Sequence, residues 1–261
     1  MINGVTRANW LPFQTLVKKE VLRFWAVSVQ TLIAPTITAS LYLFVFGIGM
    51  GRQIQVEGVE ISFLQFVIPG LILMGVVNNS FANTSSSLFF SRYIGNIVDF
   101  LVMPVSANQF ILAFTIAAML RGLLVGVAVW LISLAFSGMP WAHPLYALLM
   151  IVVASFLFSV MGIVAAIYSN SWDHLAVWNN FLILPMIFLG GVFYPISVLP
   201  GIWGSLSRLN PIFYLNDGFR YGTLGIREAD PLLSVTVSLA LATVFATWAA
   251  VLVHKGYKLK T

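Results

Sequence analysis

Residues 145–168 read LYALLMIVVASFLFSVMGIVAAIY, an apolar stretch that contains no charged side chain. A helix that crosses the hydrocarbon core of a bilayer needs about 20 such residues, so this stretch predicts a transmembrane helix. Five further stretches meet the same criterion. The sequence therefore predicts an all-α integral membrane protein with six transmembrane helices, at residues 27–50, 63–88, 108–136, 145–168, 176–196 and 231–253.

The composition of the whole chain excludes an ordinary soluble protein. Of its 261 residues, 60% are hydrophobic and 8% are charged, whereas soluble domains carry about 25% charged residues. The absence of cysteine excludes disulfides, thiolate metal sites and a cysteine nucleophile. We expect a single transmembrane domain over residues 1–261. We expect no cleavable signal peptide, because the first long apolar run begins only near Val27.

The distribution of lysine and arginine predicts the orientation of the chain in the membrane. Cytoplasmic loops normally carry the excess of these residues. If both termini are cytoplasmic, the outer side carries Arg52, Arg208, Arg220 and Arg227, and Arg121 lies within a span. The cytoplasmic side then carries the larger set: Arg7, Lys18, Lys19, Arg23, Arg92, Lys255, Lys258 and Lys260. This bias predicts a multi-pass protein with both termini in the cytoplasm.

Residues 6–26 have the pattern of an amphipathic interface helix. Apolar residues recur at intervals of three or four, and the basic residues fall largely off that face. Such a helix lies in the membrane interface with its basic side chains toward anionic headgroups. One interpretation is a generic surface helix, and a sharper one is a helix that also contacts a cytoplasmic partner. The apolar face contains Trp10, Phe13, Val17, Val21 and Phe24, and the basic residues are Lys18, Lys19 and Arg23.

Residues 89–107, between the second and third spans, are too long for a tight turn and too polar to continue in lipid. Arg92, Asn96 and Asp99 supply the polarity. Ile97, Phe100 and Leu101 share one helical face, and Pro104 marks a break before the next span. An amphipathic connector and a docking element for a soluble subunit are both consistent with this pattern.

Residues 197–230, between the fifth and sixth spans, are too apolar for a solvated loop and are broken by proline and glycine. We expect short re-entrant helices at the outer mouth, where other parts of the protein cover their backbone. Asn210 and Pro211 stand at one such break. Asp217 and Arg220 are three residues apart and could pair on one helical face. We favour a structural cap over direct contact with a substrate.

Several types of chemistry are absent from the sequence. Every acidic residue and histidine lies outside the predicted spans or at their edges, so no intramembrane acid or histidine relay is present. The sequence contains neither an H-E-x-x-H metal motif nor a G-x-S-x-G nucleophile turn. It also lacks the G-x-x-x-x-G-K-[ST] loop that binds nucleotide phosphates. We therefore expect no catalytic, metal or cofactor-binding site, and energy for uphill transport would come from a partner.

Two polar features remain inside the spans. Asn79, Asn83 and Ser86 form a stripe in the second span, with Ser87 beside it. The stripe is either hydrogen-bonding contact between helices, worth about 0.6 kcal/mol per bond, or part of a translocation route. Arg121 lies deep in the third span without a carboxylate in the spans to pair with. We expect it to face protein or a cavity, either bonded to helix carbonyls and serines or bound to an anionic group.

A series of short motifs resembles the ABC-2 type export permeases, especially the small bacterial members, along essentially the whole chain. Each motif is weak alone, but their order and spacing are typical of that family. They are Lys18-Lys19-Glu20, Ile68-Pro69-Gly70, Asn96 through Ser106, Arg121-Gly122-Leu123, Leu189-Gly190-Gly191-Val192-Phe193-Tyr194, Leu209-Asn210-Pro211-Ile212-Phe213-Tyr214 and Gly218-Phe219-Arg220-Tyr221-Gly222.

The resemblance implies a permease that works as a homodimer, or with a paralogue, in the bacterial inner membrane. Two separately encoded cytoplasmic ABC ATPase subunits would bind ATP and magnesium. Residues 6–26 would be the interface helix, 92–104 the coupling helix that fits a groove on the ATPase, and 197–225 the outer re-entrant helices. The implied cargo is amphiphilic, lipid-linked or drug-like. From the residues alone, a membrane scaffold, a passive channel and a gradient-driven transporter stay open as alternatives.

Overall fold

A computed structural model describes residues 10–49, 53–56, 58–98 and 103–258, which are mostly helical. The helices are α1 (Trp10–Ala26), α2 (Ala34–Gly49), α3 (Phe63–Tyr93), α4 (Ala107–Ser133), α5 (Pro144–Tyr168), α6 (Trp172–Val177), α7 (Leu184–Leu189), α8 (Ile202–Leu209), α9 (Pro211–Leu224) and α10 (Pro231–Lys255). Two π-helical segments, Val29–Ile33 and Trp178–Ile183, lead into α2 and α7, and a 3₁₀ turn covers Ile196–Val198.

Five stretches of helix in the described part of the chain are long and apolar enough to cross a bilayer. They correspond to five of the six predicted spans, because a long apolar run with few charges is stable as a helix in lipid whatever its tertiary partners are. Their bounds are Val29–Phe46, Phe63–Tyr93, Ala107–Ser133, Pro144–Tyr168 and Pro231–Lys255.

The span predicted at residues 176–196 has different bounds. Helical structure there runs from α6 through the second π-helical segment to the end of α7 at Leu189. The chain then turns at Gly190 and Gly191, and Gly191 has a φ of +71°. A left-handed backbone conformation favours glycine and commonly ends a helix. The helix therefore starts and ends earlier than predicted, and its membrane crossing stays a prediction.

Helix α3 forms the centre of the bundle and packs closely against both α4 and α5. Glycines make these approaches possible. A Cβ added at Gly122 would lie 2.0 Å from the Ser80 Oγ, and one added at Gly162 would lie 2.8 Å from the Phe81 carbonyl oxygen. Most of α3 is buried, including many of its polar residues. This burial explains why α3 can hold a polar stripe without exposing it to lipid.

A two-stranded hairpin lies between α2 and α3, in the connection between the first two predicted spans, and the all-α prediction did not include it. Strand β1 (Gln53–Val56) pairs antiparallel with β2 (Val59–Ser62), and Gly58 adopts a φ of +80° at the turn. The strands alternate β-branched with polar residues, which is the pattern of a half-buried strand. Each has only four residues, so this signal is too short to stand out beside the spans.

The segment after α7 contains helices that are too short to span a bilayer, and the re-entrant position predicted for residues 197–230 stays a prediction. Helix α9 packs against α3, α5 and α10. Its last turn also binds the loop before α5, since the backbone N–H groups of Ala142 and His143 donate to the carbonyls of Thr223 and Gly222. We name this end of the bundle the Asp217 end. The opposite end, where α3 finishes, is the Arg92 end.

Candidate functional site: a buried polar network and the cavity beside it

The polar stripe of the second span lies inside the bundle. Asn79 and Asn83 are one helical turn apart on α3 and are 6% and 1% exposed. The Asn79 amide donates to the Gly75 carbonyl at 3.0 Å, and the Ser86 hydroxyl donates to the Ala82 carbonyl at 2.6 Å. The side-chain oxygens of the two asparagines accept hydrogen bonds from neighbouring helices.

Arg121 points from the middle of α4 toward these asparagines. Its Nη2 donates to the Asn79 Oδ1 at 3.2 Å, and its Nη1 donates to the Asn83 Oδ1 at 3.4 Å. Its Nε is buried without an acceptor. The side chain thus faces protein and a cavity, as the sequence predicted. Its role in a translocation route stays a prediction.

Helix α1, the predicted interface helix, contributes an ion pair to the same network. Glu20 is 1% exposed, and its carboxylate accepts from the Arg23 Nε at 3.0 Å and from the Ser87 hydroxyl at 2.6 Å. The Arg23 Nη2 in turn donates to the Asn83 side-chain oxygen at 2.9 Å. Asn83 therefore accepts from both Arg23 and Arg121, and the network joins α1, α3 and α4.

This arrangement corrects the sequence-based interpretation of α1. The prediction assigned Arg23 to the face that meets lipid headgroups, together with Lys18 and Lys19, and gave Glu20 no role. Lys18, Lys19 and Trp10 are exposed and Phe13 is half-buried, but Arg23 turns into the bundle. A buried carboxylate requires partners, and an arginine three residues away on the same face supplies one.

A signal for the burial of Glu20 is present in the sequence. Leu16, Glu20 and Phe24 recur every four residues and form the buried face of α1. The predicted apolar face was therefore centred about one residue away from the observed one. An acidic residue in the middle of an apolar helical row, followed by arginine after three residues, is the pattern that would have revealed the pair.

A cavity of about 580 Å³ lies beside the network and is lined by residues of α1, the first π-helical segment, α2, α3 and α4. This volume is within the range of small-molecule sites. Its polar lining comes from both guanidinium-bearing residues and from the stripe on α3. The polar residues include Arg23, Gln30, Thr31, Asn78, Asn79 and Arg121. Gln30, Thr31 and Asn78 were not predicted to belong to a site.

Arg92, predicted to contact an ATPase, has an intramolecular role in the structure. Its Nη1 donates to the carbonyls of Ala166, Ile167 and Ser169 at the end of α5. The last carbonyls of a helix have no partner within it, and a basic side chain also complements the negative end of the helix dipole. Arg92 therefore joins the ends of α3 and α5.

The rest of the predicted coupling segment is described only in part. Asn96 and Pro104 are exposed, and Ile97 is buried. Asp99, Phe100 and Leu101 lie outside the described residues. A second cavity of about 350 Å³ extends from Asn96 to Glu20 and Arg23. The predicted coupling segment and the interface helix thus border one space at the Arg92 end.

At the Asp217 end, polar side chains of α9 and its cap bond the carbonyls at the end of α7. The amides of Asn210 and Asn216 donate to the carbonyls of Met186 and Gly190. The Arg220 Nη2 donates to the Gly191 carbonyl at 2.6 Å. Asn210 also caps α9, which starts with Pro211, by accepting from the Ile212 N–H at 3.0 Å. The peptide groups released by the turn after α7 are therefore bonded within the protein.

Asp217 and Arg220 make separate contacts instead of the direct pair that their spacing suggested. The Asp217 carboxylate accepts from the backbone N–H groups of Glu228 and Ala229 at 2.8 and 3.0 Å. The Arg220 guanidinium lies 3.8 Å from the centre of the Phe66 ring, a cation–π contact. Burial raises the pKa of Asp217 to about 6, although Arg220 and the two N–H groups act in the opposite direction. Burial also lowers the pKa of Arg220 to about 10.

We expect Asp217→Ala to lower the stability of the purified protein by on the order of 2 kcal/mol, because two N–H groups would lose their buried acceptor. Thermal unfolding in detergent at pH 8, where the carboxylate is ionised, measures this change. Asp173→Ala is the matched control, since Asp173 is exposed. Equal melting temperatures for the two variants would show that the Asp217 contacts are dispensable.

Comparison with known proteins places the chain in a family. Residues 12–224 match the ABC-2 type transporter family. The chain is 35% identical to the inner membrane transport permease YadH of Escherichia coli (strain K12), over 97% of this chain and 98% of that protein. It is also 22% identical to nodulation protein J of Rhizobium meliloti (strain 1021), over 91% and 88% of the two chains.

These matches agree with the structure. The family match covers all the network residues, the cavity beside them and the helices at the Asp217 end. The similarity to an inner-membrane permease agrees with the five apolar helices of spanning length. The chain is a multi-pass inner-membrane transport permease that belongs to the ABC-2 type transporter family.

Proposed function

We propose that this chain is the permease subunit of an ATP-driven exporter that moves an amphiphilic, lipid-linked or drug-like cargo out of the cytoplasm. The chain forms a homodimer with six spans per copy and both termini in the cytoplasm. Two cytoplasmic ABC ATPase subunits bind ATP and magnesium and hydrolyse ATP. The chain itself is not an enzyme, in keeping with the lack of a phosphate-binding loop in its sequence.

The observation that carries this proposal is the connection between the surface helix and the cavity. Arg23 is anchored on α1, bonds Asn83 on α3 and lines the cavity. The Glu20 carboxylate bonds Arg23, and Ser87 in turn donates to Glu20. A force applied to α1 therefore reaches the cavity wall through direct bonds, and the predicted coupling segment borders α1 across the second cavity. Such a connection is what an exporter driven by a docked ATPase requires.

The exposed residues between α3 and α4 supply the docking surface. The polar Asn96 and the apolar Val98 are both exposed there, and Pro104 is exposed at the other end of the segment. Asp99, Phe100 and Leu101 complete the segment in sequence. Arg92 bonds α5 and forms the fixed base of the segment, so it is unsuitable as a probe of docking.

We expect Asp99→Lys to reduce coupling to the ATPase by about tenfold, because it reverses a charge at the centre of the docking segment. The measurement is ATP hydrolysis by the ABC ATPase that co-purifies with the tagged full chain, reconstituted in lipid. Asp173→Lys makes the same change on an exposed acidic residue at the start of α6, on the same predicted side of the membrane.

Two results would contradict the proposal. One is a chain that co-purifies with no ATPase and whose transport in vesicles follows a proton or sodium gradient. The other is equal ATP hydrolysis and equal ATPase retention for the wild type, Asp99→Lys and the charge-preserving control Leu101→Asp/Asp99→Leu. That double variant keeps the negative charge but moves it by two residues. It therefore distinguishes the effect of the sign of the charge from the effect of its position.

A further inference from the structure

Arg121 carries a charge that no neighbouring residue neutralises. In the part of the chain that the structure describes, no carboxylate lies within 4.0 Å of it. Its Nη atoms donate to amide oxygens, which are uncharged, and its Nε is buried without an acceptor. A cation in the middle of a membrane-spanning helix is costly unless it has a partner. An anion beside the guanidinium would remove that cost.

The other guanidinium of the network is already neutralised. Arg23 forms an ion pair with Glu20 at 3.0 Å. Because Arg23 and Arg121 both donate to the Asn83 side-chain oxygen, the two cations are close neighbours, and the Glu20 carboxylate pairs with Arg23 alone. The network therefore has an excess of one positive charge, and Arg121 is the residue on which it resides.

The residues that line the cavity are polar toward one end and mainly apolar toward the other. Arg23 and Ser86 line it toward the Arg92 end, and Leu71 and Val129 line it toward the other end. Ser86 and Leu71 are 15 positions apart on α3, which corresponds to about 22 Å along a helix. A molecule that fills the cavity therefore meets cations toward one end and mainly apolar side chains, with Thr38 and Tyr42 beside them, toward the other.

We propose that this cavity binds an amphiphile through an oxyanion on its head group, a phosphate or a carboxylate, which Arg121 holds, while its apolar tail lies along Leu71 and Val129. Each Nη of Arg121 has a second N–H beyond the one that bonds an asparagine. The planar guanidinium matches the two oxygens of a phosphate or carboxylate. Asn79 and Asn83 keep its plane fixed for that contact.

This inference deepens the proposed function, because it names the chemistry that the permease recognises. Binding itself requires neither ATP nor the ATPase, so the two proposals fail separately. The amphiphile has two sources, an anionic phospholipid of the bilayer or the exported cargo. Both present the same oxyanion to Arg121, and the experiment distinguishes them.

The test is the binding of dodecyl phosphate to the full chain in dodecyl maltoside micelles, followed by the rise in melting temperature with ligand concentration. We expect Arg121→Gln to weaken the apparent affinity by at least about tenfold, since it removes a charge-assisted contact. Arg121→Lys keeps the charge without the planar fork and should recover part of the affinity. Arg208→Gln is the control, because Arg208 is exposed on α8.

A cavity-filling variant tests the site without changing Arg121. Ala34 lines the cavity from α2, and Ala34→Trp should weaken dodecyl phosphate binding as strongly as Arg121→Gln does. Dodecanol measures the contribution of the tail and inorganic phosphate that of the head group. Each alone should bind at least about tenfold more weakly than dodecyl phosphate does. The inference is wrong if Arg121→Gln and Ala34→Trp bind dodecyl phosphate like the wild type, or if dodecanol binds equally well.

Two further measurements identify the source of the amphiphile. Native mass spectrometry of protein purified from membranes should show an anionic phospholipid on the wild type and not on Arg121→Gln if the source is the bilayer. If the source is the exported cargo, dodecyl phosphate should move out of the leaflet on the cytoplasmic side of the protein only when the ATPase and ATP are present. Intact binding of dodecyl phosphate, with no phospholipid retained on the wild type and no ATP-dependent export, would count against the proposed exporter and leave the binding site established.

Discussion

Replacing Arg23 by leucine should destabilise the protein by about 3 kcal/mol or more, because it leaves the Glu20 carboxylate buried with Ser87 as its remaining partner. Removing one member of a buried ion pair typically costs about 3–5 kcal/mol, since the other charge stays in a medium of low polarity. Arg23 is 34% exposed, so the lower part of this range applies. Thermal unfolding of the purified chain should show a fall in melting temperature on the order of 10 °C.

A double variant separates the charge from the packing. Glu20→Leu together with Arg23→Leu removes both charges and should recover most of the lost stability, because a buried apolar pair replaces a buried ionic one at little cost. Lys18→Leu is the control on the same helix, since Lys18 is exposed, and it should leave the melting temperature nearly unchanged. If Arg23→Leu melts like Lys18→Leu, the ion pair does not hold α1 against the bundle.

The second large effect is expected at Gly222, where α9 crosses α5. A Cβ at this position would lie 2.6 Å from the backbone N and Cα of Ala147. Backbone atoms of a helix cannot turn aside as a side chain can, so α9 and α5 would have to separate. Overpacking of this kind typically costs about 1–3 kcal/mol, and the rigid neighbours place Gly222→Ala near the upper value.

Gly138→Ala provides the matched control for this prediction. A Cβ at Gly138 meets no atom within 4 Å, so the same substitution there tests only the change in residue type. We expect Gly222→Ala to lower the melting temperature by roughly 6–10 °C and Gly138→Ala to change it by less than about 1 °C. Similar values for the two variants would mean that the contact between α9 and α5 is loose.

The long helices could be predicted because their signal is local. An uncharged apolar run such as residues 145–168 specifies a helix in lipid without reference to the rest of the chain. The depth of Arg121 followed from counting residues along the third span. The need to cover its charge predicted that it would face protein or a cavity. These inferences require only the distance along a helix and the cost of a charge in a bilayer.

Other features depended on contacts that the sequence does not display. The row of Leu16, Glu20 and Phe24 indicates that Glu20 is buried, but its bond to Ser87 on α3 could not be read from the sequence of α1. Arg92 looked like a docking residue, yet the carbonyls that it bonds come from α5. Asp217 and Arg220 had the spacing of a pair, but backbone groups of other segments of the chain bond each of them instead. In each case the partner is distant in sequence, and a local pattern could not identify it.

Helix α3 has a mechanical consequence. It runs unbroken for 31 residues, about 46 Å, with Phe66 beneath Arg220 near one end and Arg92 bonded to α5 near the other. Its closest approaches to α4 and α5, at Gly122 and Gly162, lie near its middle. These approaches are the points around which a rigid tilt of α3 would turn. A tilt of about 5° around these points would move each end by roughly 2 Å, in opposite directions, so a displacement at one surface of the protein would be reversed at the other.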